Sequence, residues 1–458
     1  MTIVAIIGAG FSGLLTAVQL VKESQGKQLH ICLIDQNPHL GRGLAYGTWD
    51  DNFLLNVPAG NMSAFPDDSQ HFVRYCQEID PAFHEGTFVS RRIYGDYLED
   101  LLAKAQTEFG SNFEVICANV HAVVKLGKGL FSVQMSSEKT MTVNKVVLAL
   151  GHFESLNPFR KNELAIGSKV FLEKKDILTL CQNEEQNPIV IVGSGLTAVD
   201  LLFQLSSMGI RNKIVLISRR GLIPQSHRVN PKIPAKNVFD ILSEVPSTVR
   251  AFLRAIRLEI ARREVSGGNW RDVINELRPF IPEIWRRLST GERRRFLIKV
   301  LPYWDTHRHR LAPIAHKRFI SLMENGQVEV LAARLESIEP LSSGWRIKLK
   351  RRGQENADVA NVIEAIGLFN CTGPNSDIDQ IRNPLIQQLV RDNLICADEL
   401  RIGILTTSKY QTVDDEGREV ENLFYVGPML KATYWESIAV PELRVHAARL
   451  AKEILIDL

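Results

Sequence analysis

The clearest pattern in the chain is a short apolar run followed by a glycine-rich turn and a helix-forming segment, and it occurs twice. The first copy covers residues 3–13 and the second covers residues 189–198. A short continuous apolar run of this kind is typical of a buried parallel strand. The segments that follow, residues 14–21 and 199–205, are predicted to be helical. Each copy therefore predicts a strand, a tight turn and a helix.

Further apolar runs extend each copy into a parallel sheet. Residues 30–34 and 213–217 predict a second strand after each helix. Residues 145–151 and 368–373 are two more apolar runs that end in glycine turns. Alternating strands and helices are typical of doubly wound folds. The sequence thus predicts an α/β fold with two Rossmann-like dinucleotide-binding domains.

A segment with a different pattern interrupts the second copy. Residues 234–301 are largely helical in pattern and rich in arginine, and strand-like alternation returns over residues 328–349. We expect a helical insertion in the second domain. The predicted domains are residues 1–160 with 330–458, and residues 185–330 including the insertion.

Composition narrows the class of protein. Of 458 residues, 45% are hydrophobic and 23% are charged, as in ordinary globular proteins. The net charge of +3 is too small to indicate nucleic-acid binding, and no apolar run has the length of a membrane span. The amino terminus enters a strand directly rather than a signal peptide, so we expect a cytoplasmic protein.

The cysteines argue against thiol redox chemistry and metal clusters. There are six, at positions 32, 76, 117, 181, 371 and 396. No two have C-x-x-C spacing, which leaves thioredoxin-type pairs and iron–sulfur runs unsupported. Cys32, Cys117 and Cys371 lie in apolar runs and are expected to be buried. His307 and His309 lack a third ligand at a suitable spacing, so we expect structural partners for them and no metal site.

The first glycine turn has the residue types that dinucleotide binding requires. Gly8 permits a tight turn, Gly10 lets the backbone approach a pyrophosphate, and Gly13 lets the helix pack closely on the sheet. Asp35 ends the next strand, where its carboxylate can accept hydrogen bonds from an adenosine ribose. A packing turn with a capping aspartate is the alternative. Arg42, which stands between two glycines, is either a phosphate ligand or a solvated loop residue.

The second glycine turn has cations where the first has an acid. Gly193, Gly195 and Ala198 repeat the spacing, with alanine tolerated at the third position. The next strand ends at Arg219 and Arg220. Because a ribose 2′-phosphate needs a cation whereas a 2′-hydroxyl needs an acid, we predict NADPH rather than NADH here. The alternative is a solvated pair of arginines.

Longer blocks of sequence extend the comparison to the whole chain. They are GRGLAYG (41–47), LLNVPAGNMS (54–63), RRIYGDY (91–97), WDTHRHR (304–310), NCTGP (370–374) and WESIAVPELR (435–444). Together they resemble a largely uncharacterised bacterial family of FAD/NAD(P)-binding proteins, related to flavin-dependent monooxygenases such as a urate hydroxylase and N-hydroxylases. One departure is Val426-Gly427-Pro428, where many flavoproteins have Gly-Asp to bind the ribityl chain.

The resemblance implies FAD on the first domain and NAD(P)H on the second, and it adds residues to both sites. Residues 56–63 would pass near the flavin ring, and Gly427 with residues 438–444 would close over the ribityl chain and pyrimidine edge. No catalytic side chain is predicted. The expected cofactor-binding residues are Gly8, Gly10, Phe11, Ser12, Gly13, Asp35, Arg42, Asn56, Met62, Ser63, Gly151, Gly193, Gly195, Leu196, Thr197, Ala198, Arg219, Arg220, Thr372, Gly373, Gly427, Ile438 and Pro441.

These features predict an FAD-dependent, NADPH-using oxidoreductase. Electrons from NADPH lack a redox cysteine pair or iron–sulfur relay, so oxygen or a small molecule should receive them. We expect a single-component monooxygenase that uses dioxygen to hydroxylate a small molecule through a flavin hydroperoxide. Two alternatives stay open: a reductase that passes electrons to a quinone or partner protein, and a non-catalytic flavin redox sensor. The substrate and homo-oligomerisation are left open.

Overall fold

The chain forms two compact units. A computed structural model describes residues 1–24, 26–48, 50–127, 129–158, 172–173, 176–177, 180, 186–228, 238–353 and 361–456. Cys181 and the predicted start of the insertion at residue 234 lie outside the described residues. Unit 1 comprises Met1–Phe153, Leu277–Arg293 and Asn375–Leu458, and unit 2 comprises Glu154–Glu276 and Arg294–Pro374.

The described elements alternate between strands and helices in both units. The strands are β1 (Thr2–Ile7), β2 (Leu29–Asp35), β3 (Phe113–Cys117), β4 (Val120–Gly127), β5 (Leu130–Met135), β6 (Thr140–Val143), β7 (Lys145–Leu148), β8 (Ile189–Val192), β9 (Ile214–Ser218), β10 (Val328–Pro340), β11 (Trp345–Arg351), β12 (Val362–Ala365), β13 (Gly367–Asn370), β14 (Gln411–Val413) and β15 (Glu419–Tyr425). The α-helices are α1 (Phe11–Glu23), α2 (Gly43–Tyr46), α3 (His71–Ile79), α4 (Arg91–Phe109), α5 (Leu196–Ser207), α6 (Val238–Leu242), α7 (Val249–Val265), α8 (Trp270–Leu277), α9 (Ile281–Arg287), α10 (Thr290–Arg295), α11 (Leu301–Arg308), α12 (Pro313–Glu324), α13 (Pro384–Arg391), α14 (Lys431–Tyr434) and α15 (Val440–Leu455). A π-helical turn, Phe296–Val300, precedes α11.

Unit 1 is built on a six-stranded sheet with the order β14-β15-β7-β1-β2-β3. The central strand β1 pairs in parallel with β2 and β7. Its residues from Val4 to Ile7 are buried, which explains why the run has no polar alternation. The helix α1 packs against α4 and α15, and β4, β5 and β6 form a separate three-stranded antiparallel sheet.

Unit 2 has a second six-stranded sheet, ordered β12-β11-β10-β9-β8-β13. The strands β13, β8, β9 and β10 are parallel, whereas β11 and β12 join antiparallel at one edge. Alternate residues of β8 enter different hydrophobic clusters, Ile189 and Ile191 in one and Val190 and Val192 in the other. The strand is therefore covered on both faces, as the unbroken apolar run predicts.

The units differ from the predicted domain boundaries in three ranges. Residues 154–158, predicted in the first domain, group with unit 2. Residues 330–374 group with unit 2 because β10 pairs with β9 and β13 pairs with β8. Residues 277–293, predicted within the insertion, group with unit 1. Within residues 234–301, predicted to be largely helical, residues 285–300 are divided into the end of α9, α10 and the π-helical turn. Among the described residues, no helix combines the length and the apolar character needed to cross a membrane.

Candidate functional site

Two glycines of the first turn are required by the packing of unit 1 itself. Gly8 has φ = +102°, and a methyl group on it would lie 2.3 Å from the carbonyl oxygen of Ala149, just beyond β7. A methyl group on Gly13 would lie 1.8 Å from the carbonyl oxygen of Gly8. Larger residues at either position would push the turn away from the sheet.

Gly10 is different, because nothing in the protein requires it to be glycine. Its φ of −73° is accessible to any residue, and it precedes a helix that no side chain caps. A methyl group there would find Gly43 Cα at 3.8 Å as its nearest neighbour. A methyl group at Gly10 would therefore make only an ordinary van der Waals contact. The amide groups and helix dipole at the uncapped N-terminus of α1 can receive a pyrophosphate.

Asp35 lies beside this turn, at the carboxyl end of β2. One carboxylate oxygen accepts a hydrogen bond from the Ala9 amide at 2.7 Å, and the other accepts one from the Asn37 amide at 2.8 Å. The Ala9 carbonyl accepts a hydrogen bond from the Gly41 amide at 2.7 Å. These bonds fix the acid at the edge of the sheet where a ribose ligand is expected.

The geometry does not support the expected phosphate contact of Arg42. Its side chain is 2% exposed, and its Nε and Nη2 donate to the Glu99 carboxylate at 2.5 and 2.8 Å. Nη2 also donates to Asp96, and Nη1 donates to the Arg92 carbonyl. Hydrogen bonding to Glu99 raises the pKa of the guanidinium. Because Arg42 pairs with two carboxylates of α4, it holds its loop against that helix.

The residues added by the resemblance line two neighbouring segments of unit 1. Ser63 is buried, and its hydroxyl donates to the Asp68 carbonyl at 2.6 Å, so it shapes a turn. Arg444 of α15 donates to the Ser63 carbonyl at 2.9 Å, which joins the segment containing Asn56 and Met62 to the one containing Ile438 and Pro441. The N-terminus of α15 lacks a side-chain cap.

Two further expected residues are glycines with left-handed backbones. Gly151, beyond β7, has φ = +67°, and a methyl group on it would have no atom within 4 Å. Gly427 has φ = +140°, and a methyl group on it would lie 3.0 Å from the Tyr425 hydroxyl, which accepts a hydrogen bond from the Met429 amide. Phe11 and Ser12 form the first turn of α1.

In the second glycine turn too, one glycine is required by the packing and another is not. Gly193 has φ = +111°, and a methyl group on it would lie 2.2 Å from the carbonyl oxygen of Cys371. Gly195 has φ = −83° and no atom within 4 Å of the corresponding position. The helix α5 begins after it without a side-chain cap, with Leu196 and Thr197 in its first turn and Ala198 buried.

Thr372 and Gly373 belong to this second turn, because they follow Cys371. The Cys371 amide donates to the Val192 carbonyl at 2.7 Å, as the Ala149 amide donates to Ile7 in unit 1 at 2.8 Å. The two turns are therefore built from equivalent strands.

Sequence reasoning missed Ser194, whose 7% exposed side chain fastens the second turn. Its hydroxyl lies 2.9 Å from the Ser218 hydroxyl and donates to the Leu222 carbonyl at 2.6 Å. A serine between two glycines does not by itself indicate this role, because its partners Ser218 and Leu222 are distant in the sequence.

The two arginines after β9 have different surroundings. Arg219 is exposed, and no ion pair involves it within the described part of unit 2. Arg220 is half-buried; its Nη2 donates to the Ile298 carbonyl at 3.4 Å. Its guanidinium also lies 5.6 Å from the centre of the Tyr303 ring. Sequence reasoning did not identify Tyr303, which directly precedes the WDTHRHR block.

His307 and His309 both lie beside polar groups of the preceding helical turn. His307 Nδ1 lies 2.8 Å from the Tyr303 carbonyl, and His309 lies 3.7 Å from Asp305, as expected for structural roles.

Cys117, expected to be buried, is exposed because it ends the edge strand β3. Donor atoms of His30, Cys32 and Glu114 lie within 4.8 Å of one another. Burial raises the pKa of the Cys32 thiol to about 12.

Comparisons with known proteins give a family match for part of the chain and a likeness in fold for all of it. Residues 5–153 match the family model described as FAD-NAD(P)-binding, which confirms the expected family resemblance. No curated protein matches the chain in sequence.

The solved structures that are similar in fold include a monooxygenase, an N-hydroxylase and a disulfide reductase. L-lysine 6-monooxygenase from Pseudomonas syringae has a TM-score of 0.66 at 14% identity, with 100% of each chain covered. An ornithine N-hydroxylase from Kutzneria sp. 744, solved with reduced FAD, NADP+ and L-ornithine, has a TM-score of 0.61 at 13% identity over 98% of each chain. Bacillithiol disulfide reductase from Staphylococcus aureus has a TM-score of 0.55 at 12% identity, covering 100% of this chain and 99% of that one. The chain therefore has the fold of two-dinucleotide-binding flavoproteins, and its residues 5–153 match an FAD-NAD(P)-binding domain.

Proposed function

We propose that the chain is an FAD- and NADPH-dependent monooxygenase that hydroxylates a small molecule, with FAD on unit 1 and NADPH on unit 2. The observation that carries the proposal is the pair Gly10 and Gly195. Both have ordinary backbone angles and precede an uncapped helix. A methyl group would have its nearest neighbour, Gly43 Cα, at 3.8 Å on Gly10 and no atom within 4 Å on Gly195. Their own fold does not need glycine there, whereas a pyrophosphate approaching the backbone does.

Each site has side chains that suit its proposed cofactor. Asp35, held by backbone amides, can accept hydrogen bonds from the adenosine ribose of FAD. At the second site the exposed Arg219 and the adjacent Arg220 suit a 2′-phosphate. Bound flavin supplies the redox chemistry, accepting hydride from NADPH and activating dioxygen. The protein's part is to bind, orient and shield the reactants.

The absence of a C-x-x-C pair favours hydroxylation over disulfide reduction. Likeness in fold extends over the whole chain to a monooxygenase, an N-hydroxylase and, less closely, to a disulfide reductase. The chain has no C-x-x-C pair, so a dithiol relay of the thioredoxin type has no candidate residues. A nitrogen of a small amine is the substrate atom that the hydroxylase relatives suggest.

The test begins with anaerobic mixing of the purified holoprotein with NADPH, followed by oxygen in a stopped-flow instrument. We expect the flavin absorbance to bleach, and a distinct spectral species to precede re-oxidation. A panel of small amines should then accelerate decay of that species and yield hydroxylated product. Bleaching with no dependence on any amine, but fast re-oxidation by quinones, would instead support the reductase. Failure of NADPH to bleach the flavin would support a redox sensor.

A further inference from the structure

The side chain of Arg220 is held in place by a segment that neither glycine turn contains. Its guanidinium lies over the Tyr303 ring, 5.6 Å from the ring centre, and donates to the Ile298 carbonyl at 3.4 Å. A cation at this distance from an aromatic face is attracted by the ring quadrupole. Arg219, one residue earlier, is exposed and has no such support among the described residues.

The helix that carries Tyr303 is fastened to the loop after β9. The Gln225 amide donates to the Thr306 carbonyl at 3.0 Å, and the Leu311 amide donates to the Gln225 carbonyl at 2.9 Å. These bonds bracket α11 at both sides of its C-terminal end. They hold the backbone of α11 beside the loop that follows the strand end from which Arg220 projects. The Tyr303 side chain itself is 45% exposed.

The π-helical turn before α11 explains how Ile298 reaches Arg220. A π-helical turn of five residues, Phe296–Val300, replaces regular α-helix directly before α11. Such turns interrupt the regular carbonyl-to-amide pattern and are frequent at functional sites. Here the carbonyl of Ile298 accepts a hydrogen bond from a side chain instead of serving the helix alone.

We propose that Tyr303 is a positioning residue that gives the second dinucleotide site its preference for an adenosine 2′-phosphate, by holding the Arg220 guanidinium in one orientation. The inference rests on the proposed NADPH site. A long arginine side chain loses conformational freedom when it binds a phosphate. If Tyr303 and Ile298 have already restricted that freedom, less of the binding free energy is spent on ordering. Selectivity for NADPH over NADH then depends on a residue that lies about 80 positions after Arg220 in the sequence.

The test compares the binding of 2′,5′-ADP and ADP to the FAD-loaded protein by isothermal titration calorimetry. We expect wild type to bind 2′,5′-ADP more tightly than ADP. Tyr303→Ala should weaken the binding of 2′,5′-ADP by about tenfold, about 1.4 kcal/mol, and leave ADP unchanged. Tyr303→Phe keeps the ring and should behave as wild type. An equal loss for both ligands in Tyr303→Ala, or no loss for either, would overturn the proposal.

A double-mutant cycle separates positioning from general structural damage. If Tyr303 acts through Arg220, the variant with both Arg220→Ala and Tyr303→Ala should bind 2′,5′-ADP no more weakly than Arg220→Ala alone. Additive losses would contradict the proposed route. Arg219→Ala tests the underlying site: if wild type does not distinguish the two ligands and Arg219→Ala changes neither affinity, the NADPH assignment itself fails. If Arg219→Ala weakens 2′,5′-ADP while Tyr303→Ala does not, only the role of Tyr303 fails.

Discussion

At the scale of single residues, the glycines of the two turns divide by the reason for their presence. Gly8 and Gly193 have left-handed backbones and no room for a side chain. Gly10 and Gly195 have ordinary backbones and room for a methyl group. Sequence spacing alone cannot make this distinction, because all four are glycines. The structure thus separates the positions where the fold requires glycine from those where it does not.

Stability measurements on the second turn test this division. Gly193→Ala should lower the free energy of unfolding of unit 2 by roughly 1–3 kcal/mol, because its methyl group would overlap the Cys371 carbonyl. Gly195→Ala should leave the thermal unfolding of the cofactor-free protein unchanged within about 0.5 kcal/mol. Equal destabilisation by both substitutions, measured by differential scanning calorimetry, would contradict the assignment.

A buried histidine of unit 1 predicts a dependence of stability on pH. His446 is 5% exposed, and its Nδ1 lies 3.0 Å from the Tyr410 hydroxyl. Burial lowers the pKa of His446 to about 4, so the unfolded chain takes up a proton at a higher pH than the folded chain. The stabilising contribution is therefore complete above the unfolded pKa of about 6.5 and is lost as pH falls towards about 4.

The matched variant is His446→Asn, which keeps a polar group near the Tyr410 hydroxyl and does not titrate. Between about pH 7 and about pH 5, wild type should lose roughly 2 kcal/mol more stability than this variant. Urea unfolding, followed at both pH values, measures the difference. Parallel losses in the two proteins would exclude His446 as the source.

At the scale of elements, Arg42 explains why two distant sequence blocks belong together. The GRGLAYG block contains Arg42, and the RRIYGDY block contains its partner Asp96. The latter block also contains Gly95, which leaves room for the Arg42 side chain to approach α4. A methyl group on Gly95 would lie 2.3 Å from Arg42 Nη1 and 2.7 Å from the Tyr46 carbonyl oxygen. The blocks that suggested a cofactor role for Arg42 therefore include a structural ion pair between a loop and a helix.

Two substitutions distinguish this structural role from phosphate binding. Arg42→Ala should destabilise the cofactor-free protein by about 2 kcal/mol, because it leaves the partly exposed Glu99 and Asp96 without their cation. Gly95→Ala should have a similar effect by displacing the guanidinium. Thermal unfolding without FAD provides the measurement. If Arg42→Ala leaves the melting temperature unchanged and weakens only FAD binding, the phosphate role is correct instead.

The break between α9 and α10 has a signal in the sequence. After Arg287 the backbone becomes extended at Leu288 (ψ = 132°). Ser289 then accepts a hydrogen bond from the Glu292 amide at 3.3 Å. Ser-x-x-Glu is the spacing of a capping box, which begins a helix. Hydrophobic periodicity continued across the break and concealed it.

At the scale of the whole molecule, two similar units predict two separable binding sites. Gly10→Ala should lower the FAD content of the purified protein but leave the affinity for 2′,5′-ADP unchanged. Gly195→Ala should do the reverse and weaken 2′,5′-ADP by about tenfold or more, since its methyl group would occupy the space before α5. Flavin absorbance and calorimetry measure the two quantities. Loss of both ligands in either variant would contradict the assignment of one cofactor to each unit.

The sequence alone determined the repeated strand–turn–helix units, the α/β class and the likeness to FAD/NAD(P)-binding proteins, because these depend on local patterns. A buried strand needs an apolar run, and a tight turn beside a phosphate needs glycines at fixed spacing. Tertiary structure decided which strand lies beside which. Pairing of β13 with β8 and of β10 with β9 placed residues 330–374 in unit 2. It also decided that Arg42 faces carboxylates of α4 and that Arg220 lies over Tyr303. Such contacts join residues far apart in the chain, and no local pattern encodes them.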